Sequence, residues 1–286
     1  MQETRIPVFA VLGHPNEGKS SVVSTLSEDD SVPISPTPGE TRQCQEYPVF
    51  IDGRTVIRFV DTPGFQNPRA TLNWITRNSG PEERWIEDFI AAHQGDSDFA
   101  DECELLAPLA EGAGIIFVVD GSRPVRNTDR VEMDILRHTG LPRMAVVNTK
   151  EGGKSPYLED WKSTARKHFN TIRIFDAHRA SFAERMDLLE SLKGIDPDWQ
   201  APLQEVITVF GLDWEQRIKA TAAVVSDLLK SAARHTVKRT VSEGDSAAYA
   251  RKMLVERYQQ DIAGMEKRAH KQIKKHFKHN IFAYEL

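Results

Sequence analysis

"GHPNEGKSS", residues 13–21, leaves the apolar run "IPVFAVL" (6–12) through one glycine, meets a second at Gly18, and then sets down a lysine and two serines. The run reads as a short buried strand ended by Gly13, and residues 18–26 read as a helix. A glycine-rich turn in that context fits the G-x-x-x-x-G-K-[ST] pattern of a phosphate cradle. Glycine lets the backbone wrap closely with its N–H groups turned inward, and the helix N-terminus adds donors and a positive field. Lys19 is placed to reach the β- and γ-phosphates, and the Ser20 hydroxyl to meet Mg2+. The candidate nucleotide contacts are Gly13, His14, Pro15, Asn16, Glu17, Gly18, Lys19, Ser20 and Ser21.

Outward from this turn, buried strands alternate with helical patterns. "YPVFID" and "RTVIRFV" flank Asp52-Gly53, a hairpin dipeptide. "GIIFVVD" (114–120), "RMAVVN" (143–148) and "TIRIFDA" (171–177) read as further strands. Helices are expected over 128–140, 157–169 and 182–194. The alternation predicts an α/β domain over residues 1–198, with a mostly parallel sheet flanked by helices. Residues 65–112 interrupt it with helical patterns at 82–93 and 98–112. Such an insertion is either a surface elaboration or a lid. After "DPDWQAP" (196–202) a helical hairpin is expected within 199–286. Its first helix would pack Trp214, Ile218, Ala222, Val225, Leu229 and Ala233 on one face, and its second Leu254, Tyr258, Ile262, Met265 and Ala269.

Composition sets broad limits. The 286 residues are 40% apolar with a net charge of −5, so no global charge draws the chain to nucleic acid or acidic lipid. Two cysteines, Cys44 and Cys103, in no metal-ligand spacing suit a reducing compartment. "MQETRIP" lacks the basic start and apolar stretch of a signal peptide, so a cytoplasmic protein is expected.

Two further motifs belong with the phosphate turn. "VDTPG" (60–64) ends an apolar strand with Asp61, which can hold Mg2+ through water, and Gly64, whose amide can meet a γ-phosphate. "TPGETRQ" (37–43) offers Thr41, with Thr37 in reserve, to coordinate Mg2+ and sense the γ-phosphate. Lys19, Thr41 and Gly64 form the candidate catalytic set, and Ser20, Thr41 and Asp61 the candidate Mg2+ ligands.

"GHPNEGKS", "PGETR" and "DTPG", in this order, resemble the Era/EngA/TrmE group of GTPases over residues 6–195. The long stretch after "DTPG" and "DRVEMDIL…RMAVVN" resemble a bacterial branch carrying a C-terminal domain of unknown function. The resemblance implies a Ras-like P-loop NTPase fold, GTP and GDP as ligands, and loops around Thr41 and Gly64 that order with GTP. It also implies a protein partner of unknown identity and a nucleotide-dependent dimer. Such GTPases read guanine with N-K-x-D; here the segment is "NTKE", Asn148, Thr149, Lys150 and Glu151, so only Asn148 matches and Glu151 offers a longer carboxylate. "FDAHRA" (175–180) stands at the second base loop, with Ala177 a backbone contact and His178 either a ligand or a surface residue. Phe65 stands where Ras-like enzymes hold a water-orienting glutamine, which implies slow hydrolysis. In potassium-activated members an asparagine at the position of Asn16 helps bind K+; an ordinary turn residue is the other reading.

The basic run "EKRAHKQIKKHFKH" (266–279), with Lys267, Arg268, Lys271, Lys274, Lys275 and Lys278, reads as a solvated helix face or as a contact to anionic lipid or RNA. In the resembled branch the chain continues past this point into a glycine-rich apolar segment, so a truncated chain, membrane-associated in its longer form, is expected. Three functions stay open: a GTP-hydrolysing switch, a nucleotide-binding module with little turnover that engages a partner or membrane, and an ATPase of the same fold.

Overall fold

The computed structural model describes residues 6–27, 43–51, 53–78, 84–149, 155–177, 179–240 and 246–277. Thr37, Thr41, Asp52, Lys150, Glu151, His178 and Lys278 lie outside the described residues. The chain divides into two compact units, Met1–Val209 and Phe210–Leu286.

The first unit is a six-stranded sheet flanked by helices. Its strands are β1 (Val8–Leu12), β2 (Gln45–Ile51), β3 (Arg54–Asp61), β4 (Gly114–Asp120), β5 (Arg143–Asn148) and β6 (Thr171–Phe175). They lie in the order β2-β3-β1-β4-β5-β6, with β2 antiparallel to β3 and every other pair parallel. β1 and β4 are buried almost throughout, as strands covered on both faces must be. The helices are α1 (Lys19–Ser27), α2 (Pro68–Asn78), α3 (Trp85–Ala92), α4 (Ala100–Ala110), α5 (Asn127–His138), α6 (Leu158–Ala165) and α7 (Phe182–Lys193). α7 starts with reciprocal capping: the Glu184 N–H donates to Ser181 Oγ at 3.3 Å and the Ser181 N–H to Glu184 Oε2 at 2.8 Å. Trp199 closes the edge where β1 and β4 begin. Its ring meets Phe9 edge-on at 4.7 Å, and a Cβ at Gly114 would fall 2.3 Å from the indole.

The parallel strands send their carboxyl ends to one edge. Leu12, Asp61, Asp120 and Asn148 end there, and β1 lies between β3 and β4, where the chain changes its direction of progress across the sheet. Ligands of open α/β sheets bind outside such a crevice.

Among the described residues the insertion after β3 holds three α-helices, where two were expected. α2 escaped the apolar pattern because "PRATLNWITRN" is largely polar; Asn67-Pro68, a capping residue before an N1 proline, was its signal. α3 and α4 pack with α2 around Phe65, Ile75, Phe89, Leu105 and Leu106, all fully buried and continuous with the core under β4 and β5.

The second unit is formed by α8 (Gln200–Arg234), whose first turns belong to the first unit, and α9 (Ala247–His276). The face expected to pack on α8 is not the packed one. Ile218, Val225 and Leu229 are exposed, as are Ala222 and Ala233, while Trp214, Arg217, Thr221, Val224, Leu228 and Ala232 are half-buried. The inward row accepts Thr221 and the stem of Arg217, which pairs with Asp213, so the apolar stripe lies one residue further round. On α9, Tyr258 is exposed, whereas Leu254, Ile262 and Met265 are half-buried and Ala269 is buried. Lys267, Arg268, Lys271, Lys274 and Lys275 are exposed. Among the described residues no helix is long and apolar enough to cross a membrane.

Candidate functional site

The turn between β1 and α1 has the backbone its glycines foretell. Gly13 (φ +142°) and Gly18 (φ +93°) occupy conformations that favour glycine. Each is also closely approached: a Cβ would fall 2.2 Å from the Val118 carbonyl oxygen at Gly13, and 2.2 Å from Asn148 Nδ2 at Gly18. Asn16 has φ +68°, a left-handed conformation that asparagine tolerates, and its side chain is exposed. That conformation accounts for an asparagine here without a ligand, while leaving the side chain open to one.

Lys19 is buried at the first turn of α1, and its Nζ donates to the His14 carbonyl at 3.2 Å. Burial lowers its pKa, and Asp61, Glu132 and Glu17 pull it back upward. Ser20 Oγ donates to Asp61 Oδ2 at 2.6 Å, which joins two motifs 41 residues apart. Thr62 Oγ1 donates to the Val11 carbonyl at 2.8 Å and holds the end of β3 to β1. Gly64 lies on the turn itself: a Cβ there would stand 2.5 Å from Pro15 Cδ and 2.7 Å from Pro15 N. Ser20 and Asp61 thus meet, and Lys19 and Gly64 lie against His14 and Pro15 of the same turn. Ser21 is buried, and its backbone carbonyl accepts from Thr25 Oγ1 at 2.7 Å.

The base-side residues fare differently. Asn148 is fully buried; its Nδ2 donates to the Glu17 carbonyl at 3.0 Å and its Oδ1 accepts the Ala177 N–H at 3.2 Å. Through these two bonds Asn148 ties the two loops together, and the Ala177 backbone is held beside it. Thr149 is 3% exposed, its N–H donates to the Phe175 carbonyl at 2.8 Å, and its Oγ1 is buried without a partner among the described residues. Its buried side chain is shorter than the lysine of N-K-x-D. Phe65 is fully buried in the core, so it orients no water.

A charged network under the turn went unread. Glu17 is buried, and its carboxylate accepts from the Asp120 N–H, from Arg123 Nε at 3.1 Å and from Arg126 Nη2 at 3.2 Å. Arg123 also grips Asp129 with both Nη atoms, at 2.7 and 2.9 Å. Burial works against the Arg123 charge, but the hydrogen bonds it donates to Asp129 and Glu17 outweigh that and its pKa goes up. Asp129 ends below the usual carboxylate range: burial pushes it up, and Arg123 and the Arg126 N–H pull it further down. Glu17 ends above that range because its burial is deeper. Nearby, His14 Nδ1 lies 3.2 Å from Glu132, which is fully buried and whose pKa burial raises. The signal was Glu17 itself, since a carboxylate in a turn folded onto strand ends requires a cation.

The donors present fit a nucleotide–Mg2+ complex. Among the described residues no three His, Cys, Asp or Glu side chains gather to hold an ion alone. One hydroxyl and one carboxylate at a phosphate turn are what Mg2+ uses when phosphate oxygens and water complete its shell.

Residues 8–149 match the model of a family described as 50S ribosome-binding GTPase, and residues 162–286 match a domain of unknown function, DUF3482. Among curated proteins, GTPase Der of Ralstonia nicotianae is 28% identical over 201 residues, 66% of this chain and 39% of that protein. GTPase Der of a Synechococcus species is 31% identical over 151 residues, 52% of this chain and 27% of that one. The chain therefore spans well under half the length of these relatives. A crystal structure of Aquifex aeolicus Era bound to GDP·AlF4− aligns with a TM-score of 0.48 at 21% identity, over 66% of this chain and 56% of that chain. With the phosphate turn, the DTPG segment and the sheet order agreeing with the family match, the chain belongs to the Era/EngA-like bacterial GTPases, as a GTPase domain followed by a C-terminal domain of unknown function.

Proposed function

We propose that the chain binds GTP with Mg2+ and hydrolyses it slowly to GDP and phosphate, as a nucleotide-dependent switch. The observation that carries this reading is the 2.6 Å bond between Ser20 and Asp61 beside a buried Lys19, with Gly64 resting on Pro15. When bound, Mg2+ would neutralise phosphate charge. Ser20 offers it a hydroxyl and Asp61 a carboxylate through water. Lys19 supplies a point charge that exchanges the His14 carbonyl for phosphate oxygens. Gly64 presents its amide to the γ-phosphate, and Thr41 is assigned as a further Mg2+ ligand. Phe65 supports slow turnover, because nothing at that position can hold the attacking water. Steady-state phosphate release with GTP and with ATP tests the reading, and no release above a Lys19→Ala control with either nucleotide overturns it.

Guanine selection is assigned to Glu151, whose carboxylate can accept the ring N–H donors that an aspartate takes in N-K-x-D. Glu151→Ala leaves those donors unpaired and is expected to cost about 1–3 kcal/mol of GTP affinity. ATP affinity should hardly change. Competition titrations check this, and equal losses for the two nucleotides would remove Glu151 from the base site.

Asn16 is assigned to a K+ ion that helps neutralise the charge developing on the phosphates, as an arginine finger does elsewhere. Hydrolysis is expected to be faster in potassium than in sodium. Asn16→Gly keeps the left-handed backbone at no steric cost and removes only the side chain, so it should abolish the difference while sparing binding. Identical turnover in the two salts contradicts the assignment.

A further inference from the structure

Three observations converge on the segment that follows Gly64. Phe65 is fully buried in the core that the insertion builds. The N–H groups of Gln66 and Asn67 both donate to Glu102 Oε1 on α4, the first at 2.7 Å. Asn67 Nδ2 donates to the Asp98 carbonyl at 2.7 Å, just before α4 begins. The same helix reaches the first residues of the sheet edge. Glu104 Oε1 accepts the Cys44 N–H at 2.7 Å, and the Glu104 carbonyl accepts from Cys44 Sγ at 3.2 Å. Burial and the Glu104 charge push the Cys44 thiol up to about 12, so it donates as a neutral S–H. Cys44 immediately precedes β2, at the end of the connection that carries Thr41.

Glu102 is fully buried, its Oε2 has no partner among the described residues, and no salt bridge is formed at it among them. An interior carboxylate without a cation is costly. Leu105, Leu106 and Leu109 already anchor α4, so packing does not call for an acid at 102. What the acid serves is a pair of backbone N–H groups, two and three residues past Gly64.

We propose that Glu102 is a positioning residue for γ-phosphate recognition: by holding the Gln66 and Asn67 amides from α4, it fixes Gly64 against Pro15 with its own amide available to the γ-phosphate. Through Glu104 the same helix also holds Cys44, just before β2. The inference rests on the GTP reading above. GDP has no γ-phosphate, so it does not use this positioning.

The test uses the whole chain and compares affinities for GDP and a non-hydrolysable GTP analogue, with Mg2+, for the parent, Glu102→Ala, Glu102→Asp and Glu102→Gln. The ratio of GTP-analogue to GDP affinity is expected to fall about tenfold or more in the Ala and Asp variants, because two charge-assisted bonds are lost or stretched. GDP affinity should stay within about twofold of the parent, since the lost bonds act only through Gly64. Glu102→Gln, whose carbonyl oxygen can accept both N–H groups, should restore the ratio. An unchanged ratio, or equal losses for both nucleotides, overturns the positioning role while leaving the GTP reading intact. Failure of the parent to bind either nucleotide overturns both. Where the alanine variant does not fold, the contrast between Asp and Gln decides with the same readout.

Discussion

Lys19→Ala is expected to weaken GDP and GTP binding by on the order of 2–5 kcal/mol, roughly thirtyfold to several thousandfold. The size follows from the setting. Lys19 is 8% exposed, so its charge is screened little by water and acts on the phosphates through a low effective dielectric. In the protein as described its Nζ holds only one carbonyl, at 3.2 Å, while Asp61, Glu132 and Glu17 supply the surrounding negative charge. A bound phosphate therefore replaces one neutral acceptor with charged ones. Lys19→Met retains the apolar stem and should behave like the alanine variant, which separates loss of charge from loss of packing. Titration with a fluorescent GDP reads the effect, and an affinity unchanged in both variants is incompatible with a phosphate cradle at residues 13–20.

Much of this site was legible in the sequence because its chemistry is local. Gly13, Gly18, Lys19 and Ser20 stand in one turn, and a glycine that must take a left-handed conformation is visible as a letter. Asp61 and Gly64 were legible for a similar reason, as a strand end followed by a turn. The sheet followed from apolar runs of strand length, and β1, β4 and β5 came within two residues of their expected bounds. What the letters hid is mostly what depends on pairing at a distance. Glu102 looks like one more acid in the first turn of a helix, yet its partners are the amides of Gln66 and Asn67, 36 and 35 residues earlier. Asn148 reads as a ring contact, and that reading does not reveal that its amide also joins two loops, through the Glu17 carbonyl and the Ala177 N–H. The packed face of α8 was misread because the apolar stripe from Ile218 to Leu229 is the more continuous one, while the inward row spends two of its places on Arg217 and Thr221. Periodicity finds the apolar face of a helix; it does not say that this face is the covered one.

The phosphate turn is held open from below by charges, and that gives the largest expected loss of stability. Arg123→Met should destabilise the fold by about 3–5 kcal/mol, because Glu17 and Asp129 would then be buried with Arg126 as their one remaining cation among the described residues. Methionine fills most of the volume of the arginine stem, so the loss measures charge and hydrogen bonding more than a cavity. Arg123 also lies over the Trp161 ring at 5.2 Å, and this contact is replaced by an apolar one. The pH dependence fixes the mechanism. In the parent the Asp129 carboxyl is held below its usual range, so its contribution is present above the unfolded carboxylate pKa and is lost as pH falls through the lower folded value. The variant lacks most of that contribution at any pH. Glu17, already raised by burial, loses the hydrogen bonds and charge that restrain it, and protonation would relieve the variant further as pH falls. Both effects have one sign: the stability gap between parent and variant should be widest at neutral pH and close on acidification. Denaturant unfolding at several pH values measures the gap. A gap that is constant with pH would mean that Arg123 stabilises the turn by packing alone, and the carboxylates beneath the phosphate loop would need another explanation.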